Sequence, residues 1–108
     1  MFKNLFKTKT RKITFYIGLN DKDAKEQLIT TENAVHAAET YFGDCTVTLC
    51  HGYYTHDDGT GTREVTIKVD KLDFSGNFNE IKAASDLKAM FNQESIGFEE
   101  TRVIASLI

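Results

Sequence analysis

The chain has 108 residues, 41% hydrophobic and 27% charged, with a formal net charge of −3, which fits one globular domain that buries a core without disulfide or metal staples. No apolar run reaches the roughly 20 residues of a membrane helix. The N-terminus lacks the continuous apolar stretch and small-residue cleavage site of a signal peptide, so the expected location is cytoplasmic.

Residues 1–12 carry Lys3, Lys7, Lys9, Arg11 and Lys12 and no acid, so the rest of the chain, with eight basic and sixteen acidic residues, stands at −8. Phe2, Leu5 and Phe6 lie at helical spacing among these lysines, the pattern of a short basic leader that touches an anionic surface or rests its rings on the body. An acidic body repels phosphate. Direct nucleic-acid binding is therefore expected only through the leader, while the body suits a basic protein partner.

Strand one is predicted over Ile13–Leu19, where Ile13, Phe15, Ile17 and Leu19 alternate with Thr14, Tyr16 and Gly18. Gly18 inside it signals a bulge or the close approach of a neighbour. Asn20–Asp23 ends the strand, and 24–29 reads as a polar connector. Helix one begins at an N-cap on Thr30 or Thr31, buries Ala34, Val35, Ala38, Tyr41 and Phe42, and stops at Gly43. His36 falls on its solvent side.

A hairpin follows, with arms at Cys45–Tyr54 and Arg63–Val69 and an eight-residue turn, Thr55–Thr62. Cys45, Val47, Leu49 and Tyr53, with His51 undecided, are expected to point inward with Val65, Ile67 and Val69, and the two arms to form the middle of the sheet. Cys45 and Cys50 are an odd number of residues apart and point to opposite faces, which argues against a disulfide. Helix two is expected to open on Asn77 as cap with Glu80 reaching back, and to bury Ile81, Ala84, Leu87 and Phe91. A last strand is predicted from Phe98 to Leu107. Strand, helix, strand, strand, helix, strand gives a ferredoxin-like βαββαβ α+β sandwich: a four-stranded antiparallel sheet with both helices on one face, one domain over 13–108 behind the leader 1–12.

Tyr16-Ile-Gly-Leu19, Gly52-Tyr53, Glu64 early in the returning strand and Phe91-Asn-Gln-Glu-Ser-Ile96 together resemble the pattern of a small bacterial domain-of-unknown-function family. The resemblance runs from Ile13 to the end and implies the same fold, with no activity attached. Tyrosine stands here where that family usually has tryptophan.

Chemistry is sparse. His51, His56, Asp57 and Asp58 do not supply three or four convergent ligands for zinc. Gly59-Thr-Gly61 joins two strands and opens no helix, unlike a phosphate loop. No nucleophile elbow or triad spacing occurs. The adjacent pairs Glu99-Glu100 and Asp57-Asp58 diverge on extended backbone. Tyr16 and Tyr54 on the open face resemble base-stacking positions but lack basic neighbours. No cofactor or metal is expected.

What remains is a contact surface, the outer sheet face and the hairpin tip, with Tyr16, Tyr54, His56, Asp57, Asp58 and Glu64 as candidate partner-contact residues. The leading expectation is a non-enzymatic protein-binding module, a phage or mobile-element inhibitor of a host nucleic-acid enzyme, anti-CRISPR-like in size and charge. The alternative is a dimeric protein that binds or converts a small molecule between packed sheets, with a pocket near Tyr16, Tyr54 and His51.

Overall fold

Alternation along the first strand decides the architecture. Ile13, Phe15 and Ile17 are completely buried on one face, and burial of each such side chain stabilises the fold by about 1.5–3 kcal/mol. The computed structural model describes residues 9–108, in the order β1 (Arg11–Gly18), α1 (Thr31–Phe42), β2 (Thr46–Thr55), β3 (Gly61–Asp73), α2 (Glu80–Phe91) and β4 (Gly97–Arg102). The strands form one antiparallel sheet ordered β2-β3-β1-β4. Ala34, Ala38 and Phe42 of α1 and Ala83, Leu87 and Phe91 of α2 join Ile13, Phe15, Ile17, Ile67 and Val69 in a single core, so both helices cover the same face. This is the expected ferredoxin-like α+β fold. Phe15 is its centre, with ring centroids 5.2 Å from Phe42, 6.1 Å from Phe78 and 5.0 Å from Phe98. No helix among the described residues is long and apolar enough to cross a membrane.

Helix one begins and ends as its caps predict. Thr30 accepts from the Asn33 amide, and Gly43, at φ 70°, donates its N–H to Glu39 O. Helix two differs. Its cap is Asn79, which accepts from Lys82 N, and its buried stripe is Ala83, Leu87 and Phe91, with Ile81 exposed. Glu80 is not free to close a capping box because Arg11 holds it.

The hairpin departs from expectation in two ways. The sheet order puts β2 at an edge, with β3 alone of the two arms inside. Leu49 and Tyr53, on that edge strand, therefore stay 55% and 65% exposed. The turn is also shorter, residues 56–60, because pairing runs on through Tyr54↔Thr62 and Thr55↔Gly61. His56 N–H donates to Thr60 O at 2.7 Å, and Asp58 Oδ1 accepts from both the amide and the hydroxyl of Thr60. The last strand stops at Arg102, not Leu107, because its partner β1 begins at Arg11, opposite Arg102. Beyond it, Val103 N–H donates to Thr10 O at 3.2 Å.

Residues 1–8, the larger part of the expected leader, lie outside the described residues. Arg11 belongs to β1 and is buried. Its guanidinium is shared among Asp73 (2.9 Å), Glu80 (3.0 Å) and Glu100 (2.6 Å), and it also donates to Phe78 O. Burial alone would raise the Asp73 pKa, but Arg11 and the Phe78 amide together hold it below its ordinary value. The Arg11 hydrogen bond lowers Glu80 in the same way. With both folded-state values depressed, the unfolded chain binds more protons in acid. The contribution is complete above the usual carboxylate range and is lost as pH falls through the lower folded values. The urea midpoint is expected to hold steady from neutral pH down to about 5 and to drop steeply below about 4. Asp73→Asn should flatten that drop.

Candidate functional site

The outer sheet face, away from the helices, carries Tyr16 and Gly18 from β1, Tyr54 and Gly52 from β2, and Glu64 and Thr66 from β3. The register sets Gly18 opposite Thr66, Gly52 opposite Glu64 and Tyr16 opposite Gly97. At the end of the sheet where β1 stops and β3 starts, Tyr16, Gly18, Tyr54 and Glu64 meet the segment after α2 and line a cleft of about 390 Å³. That volume is within the usual range of small-molecule sites. Glu64 defines its floor. The carboxylate lies flat over Gly18, where an added Cβ would sit 2.6 Å from Glu64 Cδ, and Oε2 accepts the Asn20 N–H at 2.8 Å. The close approach signalled by Gly18 in the sequence is thus made by a carboxylate. Gly18→Ala is expected to displace that carboxylate at a stability cost of about 1–3 kcal/mol. A melt that drops while the Glu64–Asn20 bond survives in a crystal structure would contradict this packing.

Tyr16 is fixed by its ends. Its hydroxyl donates to Glu99 Oε1 at 2.6 Å, Lys68 Nζ stands 5.9 Å from the ring centroid, and Gly97 lets β4 approach the ring. The bond to Glu99, then burial, raises the phenol pKa, so Tyr16 keeps its proton at neutral pH. On the facing wall, Gln93 Nε2 donates to Asn20 O at 2.6 Å and Lys22 N–H donates to Asn92 O at 3.0 Å. Asn92 is left-handed at φ 48° and donates from Nδ2 to both Asp21 and Asp23. The Ala24 amide first, and then Asn92, hold the Asp21 pKa below its ordinary value. At the hairpin end, His56 Nε2 and Thr62 Oγ1 are 2.6 Å apart.

Tyr16, Tyr54, His56 and Glu64 all line this one cleft. Asp57 and Asp58 do not: they sit in the turn, where Asp58 is occupied by Thr60, whose hydrogen bonds lower its pKa. Asn20, Gln93 and Gly97 were not foreseen as lining residues. The only sequence signals for them were the glycine inside strand one and the Phe91–Ile96 motif. A larger depression, about 700 Å³, opens beside Lys12, Cys45 and Lys71, but Lys71 Nζ is already committed to Phe42 O and Asp44 O. Chemically, the Glu64 cleft offers two anchored carboxylates, Glu64 on its floor and Asp21 on the facing wall, with Glu94, Lys22 and Lys25 also lining it, two aromatic rings and backbone dipoles. Its one hydroxyl–imidazole pair, Thr62 and His56, has no third group bonded to the imidazole among the described residues, unlike a catalytic triad. The site is built to bind and orient.

No protein-family model matches the chain, and no curated protein matches it. Two solved structures share its fold. A phage SAM lyase in complex with S-methyl-5'-thioadenosine is 23% identical, with a TM-score of 0.67 over 92% of this chain and 87% of the other. A phage SAM lyase in the apo state is 20% identical, with a TM-score of 0.57 over 91% and 86%. These likenesses overturn the expectation of a non-enzymatic, anti-CRISPR-like inhibitor module, since the neighbours are enzymes and one holds a nucleoside thioether. The physical reason lies in the cleft. Four of the six residues read as a protein-contact surface converge on a concavity of small-molecule size, and the hairpin tip read as part of that surface is short and tied down by its own hydrogen bonds.

Proposed function

We propose that this chain binds S-adenosylmethionine in the Glu64 cleft and cleaves it as a lyase. The observation that carries the reading is the Glu64 carboxylate, laid on Gly18 and hydrogen-bonded to the Asn20 amide, at the floor of a cleft that Tyr16 and Tyr54 share. A ligand with a cationic amino-acid end and an aromatic nucleoside end matches that combination of anion and rings. The shared fold supports the reading as an analogy.

The reaction needs little from the protein. An oxygen of the substrate's own carboxylate attacks the γ-carbon, and the C–S bond breaks with its electron pair moving to the sulfonium. Neutral S-methyl-5'-thioadenosine leaves, and the four-carbon fragment closes to a lactone. No proton, water or redox partner enters. A site that holds the chain folded back on itself gains the advantage of an intramolecular reaction, which suits a cleft without an oriented base and nucleophile. An anion facing the sulfur would favour the ground state, because the sulfonium charge vanishes as the bond breaks. The α-ammonium keeps its charge throughout, so Glu64 is assigned to it. The test is incubation of the purified protein with S-adenosylmethionine in ¹⁸O-water, followed by mass spectrometry. Release of S-methyl-5'-thioadenosine with an unlabelled lactone is expected; no release above the buffer rate overturns the reading.

A further inference from the structure

Thr66 is a buried polar group that borders this cleft, opposite its lining residue Gly18, without itself lining it, and no contact among the described residues explains its hydroxyl. It is 3% exposed, on the outer face, opposite Gly18 and two residues along β3 from Glu64. Among the described residues, its Oγ1 is a buried side-chain oxygen with no hydrogen-bond partner. Valine has the same shape and would fill the position without leaving a buried hydroxyl unsatisfied. What covers the hydroxyl is specific. A Cβ on Gly52 would stand 2.7 Å from Thr66 Oγ1, 3.1 Å from Tyr54 Cε2 and 3.3 Å from the Tyr54 hydroxyl. The Tyr54 ring therefore lies across Gly52 beside the Thr66 hydroxyl. Tyr54 is 47% exposed, and its own hydroxyl bonds to no described residue, so no hydrogen bond pins the ring there. Along the same face of β3, Glu64, Thr66 and Lys68 follow one another as anion, hydroxyl and cation.

We propose that Thr66 is a ligand-binding residue of the cleft: its hydroxyl is uncovered when the Tyr54 ring turns off Gly52, and it donates to the α-carboxylate of an S-adenosyl amino acid whose α-ammonium rests on Glu64. This rests on the lyase reading and sharpens it. The ammonium and carboxylate share one carbon, and Glu64 and Thr66 are neighbouring outward positions, so the two groups have adjacent partners. Lys68, whose Nζ stands 5.9 Å from the Tyr16 ring centroid, lies one outward position further on. The hydroxyl would fix the direction of the carboxylate that must reach the γ-carbon.

Two ligands separate this role from a structural one. S-methyl-5'-thioadenosine lacks the amino-acid end, and S-adenosylhomocysteine carries it without the reactive sulfonium. Calorimetric titration of Thr66→Val should show S-methyl-5'-thioadenosine binding within about two-fold of the unmodified protein and S-adenosylhomocysteine weakened about ten-fold or more, the scale of a lost hydrogen bond to a charged group. Thr66→Ser should restore the second affinity. Unchanged S-adenosylhomocysteine binding by a folded Thr66→Val protein overturns this proposal alone, as does equal weakening of both ligands. If the unmodified protein binds neither ligand, the lyase reading falls and the assignment of Thr66 falls with it.

Discussion

Replacing Glu64 by glutamine is expected to weaken S-adenosylmethionine binding about 10- to 100-fold, the range for losing one charge-assisted contact. The substitution is chosen because it removes only the charge. The amide oxygen of glutamine can still accept the Asn20 N–H that holds Glu64 at 2.8 Å, and the side chain still fits over Gly18. The melting temperature should therefore stay close to that of the unmodified protein. S-methyl-5'-thioadenosine, with no ammonium, should bind nearly as well as before. Turnover at saturating substrate should fall less than kcat/KM, because an interaction equally strong in ground and transition states affects binding more than the chemical step. Weaker binding accompanied by a rise in kcat would instead place the carboxylate at the reacting sulfur and require the assignment to be redrawn.

The largest effect on stability is expected at Arg11. Its guanidinium is 7% exposed and answers three carboxylates, Asp73, Glu80 and Glu100. They keep it firmly charged, Glu80 contributing most, then Glu100, with Asp73 behind the opposing effect of burial. Arg11→Met keeps much of the buried stem but leaves those carboxylates facing one another, a change that typically costs about 3–5 kcal/mol. In a domain whose total stability is on the order of 5–15 kcal/mol, that loss is severe. A fall in melting temperature of at least about 12 °C is expected. The deficit should narrow below about pH 4 as the carboxylates protonate. A deficit independent of pH would mean that the loss comes from packing and not from charge.

Much of the fold could be read from local pattern. Period-2 alternation in Ile13–Leu19 and the Thr30/Gly43 caps depend on neighbours in sequence, and both recur in the structure. What failed was set by distant partners. Glu80 looked like a capping residue because its contact with Arg11, 69 positions earlier, leaves no local trace. Leu49 and Tyr53 alternate as core residues do, but strand order puts them at an edge. The site was half legible for the same reason. Tyr16, Tyr54, His56 and Glu64 stood out by type and face, whereas Asn20 contributes through its backbone and Gln93 through a bond to that backbone. The functional reading erred because a polar sheet face looks the same in sequence whether it is flat or walled. Only the folded chain shows the segment after α2 standing beside it.

The two walls of the cleft are held very differently. On one side, the left-handed Asn92 ties the end of α2 to Asp21 and Asp23, while Lys22 and Gln93 return bonds to Asn92 O and Asn20 O. Two chain segments some seventy residues apart are cross-braced there, so that wall is already ordered before a ligand arrives. On the other, the bonds that hold residues 56–60 among the described residues lie within the turn and to its flanks. Conformational entropy lost on binding should therefore fall mainly on the hairpin side. Stiffening that turn without touching the cleft is then a route to tighter binding through slower dissociation, while loosening the Asn92 brace would weaken affinity although Asn92 does not line the cleft.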